Sequence, residues 1–118
     1  LAARLARAEA LGIDRTRIML DPGIGFGKTQ AHNLALIRGL SLFHGLGCAI
    51  LLGTSRKRFI GAIGQAPEPQ DRAPGSIATA LAGVAQGVQI LRVHDVAETR
   101  QALRLWQALN TDHLEDEA

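Results

Sequence analysis

Three short apolar runs separated by stretches of helical periodicity constrain the fold of this 118-residue chain more than any other feature. Arg17-Ile18-Met19-Leu20-Asp21, Cys48 to Gly53, and Val88 to His94 read as strands. Ahead of the first, Leu1, Leu5, Ala8 and Leu11 recur at helical spacing and Gly12 follows as a stop. A second helix is expected from Asn33 to about Phe43, with Leu34, Ile37, Leu40 and Leu42 inward. Ser55 is placed to cap a short helix through Ile63, and Ser76 a helix to Gln86 that Gly87 ends. Asp95-Val96-Ala97-Glu98 is an Asp/Glu version of the capping box, opening a helix that carries Ala102, Leu103, Leu105, Trp106 and Leu109. The order is α-β-α-β-α-β-α. Strands joined through helices pair in parallel and are covered on both faces. The fold class is α/β. Three strands cannot close a barrel and a (β/α)₈ barrel takes roughly 250 residues, so the chain is either three staves of eight or a small open sheet.

Composition removes several classes of function. Aromatic residues are Phe26, Phe43, Phe59 and Trp106, with no Tyr, too few to build a base-stacking platform for nucleic acid. The single cysteine, Cys48, excludes an internal disulfide or a cysteine zinc cage and suits a reducing, cytoplasmic compartment. The longest apolar run, Cys48 to Leu52, is far short of the ~18 residues of a membrane span. The opening residues carry neither an initiator Met nor a signal-peptide core and read as the middle of a helix, so a piece of a longer chain is expected. Residues 1–110 form the folded part and 111–118 an acidic tail. Four acids, Asp112, Glu115, Asp116 and Glu117, fall in that tail, so the body is more basic than the net charge of +2 and suits anionic ligands.

Each apolar run ends in residues able to do chemistry. The first stops at Asp21-Pro22-Gly23-Ile24-Gly25-Phe26-Gly27-Lys28, the second at Gly53-Thr54-Ser55-Arg56-Lys57, the third at Arg92-Val93-His94-Asp95. Ligand sites in parallel α/β folds lie at the carboxyl ends of strands, so a carboxylate, a lysine, an arginine and a histidine are expected on one rim. Period-2 alternation places Arg92 and His94 on one face and Leu91 and Val93 on the other. Each residue also has a simpler explanation. Asp21 fits a turn residue accepting a backbone N–H, Arg56 and Lys57 fit a solvated first helical turn, and Asp95 fits a cap. Turn chemistry does not explain the convergence of all three ends. His32, His44 and His113 lack partners at metal-ligand spacing and receive no role.

The glycine-rich loop is not a nucleotide motif. A Walker A loop ending at Gly27-Lys28-Thr29 needs glycine at position 22, where Pro22 stands. Gly23 and Gly25 open a dinucleotide fingerprint whose third glycine falls one residue off, at Gly27. The loop nonetheless permits close approach of backbone to a ligand.

These three strings, in order and spacing, resemble the dihydropteroate synthase family of pterin-binding TIM barrels; Gly75-Ser76 fits as well, and the likeness runs to about Leu109. The resemblance implies the C-terminal part of the barrel, from helix 5 through helix 8 with three parallel strands. It implies a transferase of folate biosynthesis that condenses 6-hydroxymethyl-7,8-dihydropterin diphosphate with p-aminobenzoate, releasing pyrophosphate. By the same resemblance Asp21 binds the pterin's amino-pyrimidine edge and Lys57 its carbonyl side. Arg92 packs on the pterin and, with His94, holds the departing diphosphate. Gly25, Phe26 and Ser55 line substrate, the last two in the aminobenzoate pocket that sulfonamides occupy. Lys57, Arg92 and His94 are the catalytic candidates. Mg²⁺ is expected on the diphosphate, its ligand lying in a first half that this chain lacks. The complete protein is expected to be a homodimer, and these residues alone to be inactive. A related pterin-binding methyltransferase domain and a non-catalytic remnant are the competing readings; the Ser-Arg-Lys and Arg-Val-His strings favour the synthase.

Overall fold

A computed structural model describes residues 2–14, 17–25 and 29–111. Its elements run α1 (Ala2–Ala10), β1 (Met19–Leu20), α2 (Gln30–Arg38), a 3₁₀ segment (Leu40–Leu46), β2 (Ala49–Leu52), α3 (Arg58–Ile63), a second 3₁₀ segment (Pro69–Arg72), α4 (Ala73–Ala85), β3 (Ile90–Leu91) and α5 (Val96–Leu109). The expected alternation of strands with helical crossovers is present, the β2–β3 crossover holding two helices, α3 and α4. The three strands form one open parallel sheet in the order β1-β2-β3. Met19 lies opposite Ala49 and Leu20 opposite Ile50, while Leu51 pairs with Ile90 and Leu52 with Leu91.

That register sorts the strand residues onto two faces. Ile50 and Leu52, at 0% and 1% exposure, point into a core with Ile24, Ile37, Leu40, Phe59, Ile60 and Val88. Leu5 of α1 packs with Leu20 and Cys48 in a second cluster beside it. Met19, Ala49, Leu51 and Ile90 occupy the other face. They are as apolar as the first set, yet Met19 is 57% exposed and the other three are half-buried. The expectation of a sheet covered on both faces therefore holds for one face only among the described residues. Strands apolar on both sides are built for burial on both sides, as in a barrel whose interior is filled by side chains.

Several local expectations are corrected. β3 is two residues long, so the alternation read through His94 stops at Leu91. α2 begins after Thr29, whose side chain accepts the His32 amide, and Gly39 ends it. Residues 40–46 then wind at three residues per turn, which rotates Leu42 off the buried face to 82% exposure, while Ile37 and Leu40 stay buried. Leu34 and Leu11 are exposed as well. α4 starts at Ala73 with Pro74 in its first turn, so Ser76 lies inside the helix and is not its cap. Leu1 and the acidic tail from Asp112 lie outside the described residues.

α4 packs against α2, α3 and α5, and its Gly83 sits over β2. A Cβ on Gly83 would stand 2.4 Å from Leu52 Cδ2 and 3.6 Å from Val88 Cγ2. Leu52 is enclosed on every side and cannot turn away. Gly83→Ala is therefore expected to destabilise the protein by about 1–3 kcal/mol despite alanine's better helix propensity. Gly45→Ala, at a site with nothing within 4 Å, is expected to change stability by less than about 0.5 kcal/mol. Urea unfolding of both variants checks this; equal effects would contradict the packing argument.

Candidate functional site

The turn after β1 is held from two directions. Asp21 Oδ1 accepts the Gly23 amide at 2.8 Å, the turn role that its Pro-Gly context suggests. Gly23 and Gly25 have φ of +74° and +87°, the region that favours glycine. The Gly25 amide donates to Asn33 Oδ1 at 2.8 Å, and Asn33 is only 3% exposed on α2. Lys57, arriving from the end of β2, donates through Nζ to the Ile24 carbonyl. A Cβ on Gly25 would stand 2.9 Å from Lys57 Cδ, so the glycine gives the lysine its path. Phe26 and Lys28 lie outside the described residues.

The end of β2 meets the end of β3 through a serine and a glycine. Ser55 Oγ accepts the His94 amide at 3.1 Å and lies 2.9 Å from His94 Nδ1. The hydroxyl proton is thereby available to Nδ1, and in the tautomer that accepts it the neutral ring carries its proton on Nε2. Ser55 is spent on this contact, and Lys57 takes the N-cap position of α3 with no side-chain cap bond. Gly53 faces the guanidinium of Arg92: a Cβ there would stand 2.8 Å from Nη2 and 3.1 Å from Nε. Arg92 forms no side-chain hydrogen bond or ion pair to any described residue, whereas its amide joins the Leu52 carbonyl at 3.0 Å.

Gly53, Ser55, Lys57, Arg92, Val93 and His94 line one cavity of about 130 Å³. Val93, expected on the opposite face, joins them because the chain has left the strand by that point. The structure thus gathers Ser55, Lys57, Arg92 and His94 at one place. Asp21 and Gly25 stand on the adjoining strand end, linked to the cavity through Lys57 and not lining it.

Arg56 points elsewhere. Its Nη2 and Nε reach the Asp95 carboxylate at 2.8 and 3.3 Å. The hydrogen bond from Arg56, outweighing desolvation, holds the Asp95 carboxyl below the usual carboxylate range. The capping box expected of Asp95 and Glu98 is absent, because the Asp95 side chain serves Arg56. The Asp95 carbonyl instead takes the Thr99 amide and hydroxyl, at 3.0 and 2.7 Å. Sequence reasoning missed Asn33 and Arg72. Asn33 reads only as the start of a helix. Arg72 stands in a Pro/Gly-rich stretch that looks like plain loop, and only the structure shows its guanidinium donating to three carbonyls.

The pterin binding enzyme family matches residues 1–94. The chain belongs to that family. It is 49% identical over 112 residues to dihydropteroate synthase of Neisseria meningitidis serogroup B, covering 92% of this chain and 39% of that relative. Dihydropteroate synthase of Xanthomonas albilineans, determined with 4-aminobenzoic acid, superposes with a TM-score of 0.90 at 44% identity over 92% of this chain and 40% of the other. The Thermus thermophilus enzyme in complex with 6HMPPP gives a TM-score of 0.88 at 46% identity, over 94% and 43%. The chain spans about two-fifths of the length of the relatives it matches. Its three parallel strands correspond to staves of the dihydropteroate synthase barrel, as the resemblance of the strand-end strings implied.

The Arg56–Asp95 pair yields a pH signature. Because the Asp95 folded value is depressed, its stabilisation is present at neutral pH and down to the ordinary carboxylate range, and is lost as pH falls through the folded value. The stability difference between the protein and Asp95→Asn is therefore expected at neutral pH and closes in strong acid. A difference undiminished in strong acid would show that the charge on Asp95 is immaterial.

Proposed function

We propose that the complete protein is a dihydropteroate synthase, joining 6-hydroxymethyl-7,8-dihydropterin diphosphate to p-aminobenzoate with release of pyrophosphate. The observation that carries this reading is a guanidinium without a partner among the described residues, Arg92, set over Gly53 in one cavity with Lys57 and His94. Cations held in place by the fold stabilise charge that develops on a leaving group. The exocyclic methylene loses its bond to the diphosphate oxygen, the aminobenzoate nitrogen forms the new bond to that carbon, and the nitrogen sheds a proton. Arg92 and the His94 ring, whose Nε2 is not engaged by any described residue, meet the departing oxygens.

Asp21 keeps Oδ2 for the donor-rich amino-pyrimidine edge while Oδ1 holds the Gly23 amide. Lys57, now on the Ile24 carbonyl, addresses the pterin carbonyl side. Ser55 is assigned to the aminobenzoate side, as the family resemblance assigns Phe26, and Gly25 lets backbone approach the substrate. The cavity of about 130 Å³ is small against the roughly 300–1,000 Å³ of small-molecule sites. These 118 residues alone are therefore proposed to bind pterin poorly and not to turn over. Among the described residues no three His, Cys, Asp or Glu side chains gather to hold a metal. The described residues do not form a Mg²⁺ cage, in keeping with a ligand for that ion in the rest of the complete protein. A homodimer rests on the family resemblance and a cytoplasmic location on the single cysteine, Cys48; no helix among the described residues is long and apolar enough to cross a membrane.

Synthesis of dihydropteroate from the two substrates by the full-length protein tests the assignment. Arg92→Ala is expected to lower kcat about 10²–10³-fold with little change in thermal midpoint. Gly53→Ala, which displaces the guanidinium without removing it, is expected to fall between that variant and the unsubstituted protein. Undiminished synthesis by Arg92→Ala would overturn the assignment of the cavity.

A further inference from the structure

One residue outside the cavity determines how its wall is formed. Arg56 lies between Ser55 and Lys57 with φ of +58°, left-handed for a residue that carries a Cβ. Its amide donates to Ser76 Oγ at 2.8 Å, and its carbonyl accepts from Arg72 Nη1 at 2.9 Å. The two grips are themselves joined, since Ser76 Oγ donates to the Arg72 carbonyl at 2.8 Å. Arg72 donates to two more carbonyls, Nε to Ala66 at 2.8 Å and Nη2 to Pro67 at 2.6 Å. It has no carboxylate partner among the described residues. Gly61 makes room for the fork, because a Cβ there would stand 2.4 Å from Arg72 Nε.

We infer that Arg72 is a positioning residue: by holding the Arg56 carbonyl it keeps Arg56 left-handed, and so aims Ser55 at His94 and Lys57 at the Ile24 carbonyl. The inference rests on the proposed function for its assay. A left-handed residue at the centre of Ser55-Arg56-Lys57 reverses the chain within one residue, so the flanking side chains enter the cavity from two sides while the Arg56 side chain leaves toward Asp95. If the Arg56 peptide relaxed to a right-handed conformation, both flanking side chains would be re-aimed together. The grip requires arginine. A planar guanidinium satisfies three carbonyls at fixed angles, whereas an ammonium on a flexible stem is a point charge without that geometry.

The experiment measures steady-state kinetics of the full-length protein carrying Arg72→Lys, Arg72→Gln, Ser76→Ala and the Arg72→Gln/Ser76→Ala pair. Arg72→Lys is expected to lower kcat about 10–100-fold, the scale of a small misplacement of reacting groups. The KM for p-aminobenzoate is expected to rise, since Ser55 adjoins the turn. Binding of inorganic pyrophosphate, titrated by calorimetry, is expected to weaken less than kcat falls, since Arg92 is held by its own strand end and only His94 loses its Ser55 contact. The pair is expected to be strongly non-additive, because both substitutions release the same residue. Unchanged kcat in Arg72→Lys, additive losses in the pair, or failure of both Arg72 variants to fold would each overturn the inference, the last by assigning Arg72 to the scaffold. An unsubstituted full-length protein that makes no dihydropteroate would overturn the proposed function first. Synthesis by that protein combined with an unaffected Arg72→Lys would overturn this inference alone.

Discussion

Parallel hydrogen bonding along both edges of β2 is the constraint on which the rest depends. Parallel strands end on the same side of a sheet, so pairing β2 with β1 and β3 brings residues from the segments after 20, 52 and 91 to one edge. Ile50 and Leu52 lock the register, because sliding β2 by one residue would exchange them for Ala49 and Leu51 on the helix-facing side. Nothing at the strand ends is long enough to find its partner without that register. Ser55 meets His94, and Gly53 receives Arg92, only because the two strands run side by side in this alignment.

The alternation of strands and helices, the stops at Gly12 and Gly87, and the meeting of Ser55, Lys57, Arg92 and His94 are legible in the sequence. Apolar strand runs and glycines with left-handed φ, such as Gly12 and Gly87, carry those signals locally. The choice of partner is not legible. Ser55, Ser76 and Asp95 each look like helix caps, and each is taken by a distant group instead: the His94 ring, the Arg56 amide and the Arg56 guanidinium. A hydroxyl or carboxylate near a helix start can serve either its own helix or a neighbour, and only tertiary packing ranks the two. Leu42 departs from its expected place for a different reason. Periodicity at 3.6 residues per turn fails where the chain tightens to a 3₁₀ segment after Gly39.

Three arginines show how environment assigns a role that residue type leaves open. Arg56 is neutralised by the Asp95 carboxylate and serves to tie two strand ends. Arg72 is surrounded by carbonyls and secures a turn. Arg92 has neither kind of partner among the described residues, and its charge faces a cavity shared with Lys57 and His94. A guanidinium that shares a cavity with a lysine and an imidazole suits an anionic ligand, and the family to which the chain belongs is that of pterin binding enzymes. The apolar face of Met19, Ala49, Leu51 and Ile90 fits a stave whose inner side is meant to be covered, in keeping with relatives more than twice as long.

A crystal structure of the full-length protein with a non-hydrolysable pterin diphosphate analogue tests the central claim most directly. The account predicts diphosphate oxygens within hydrogen-bond distance of the Arg92 guanidinium and the His94 ring, with the pterin edge turned toward Asp21 and Lys57. An analogue bound with Arg92 and His94 directed away from its phosphates would contradict it.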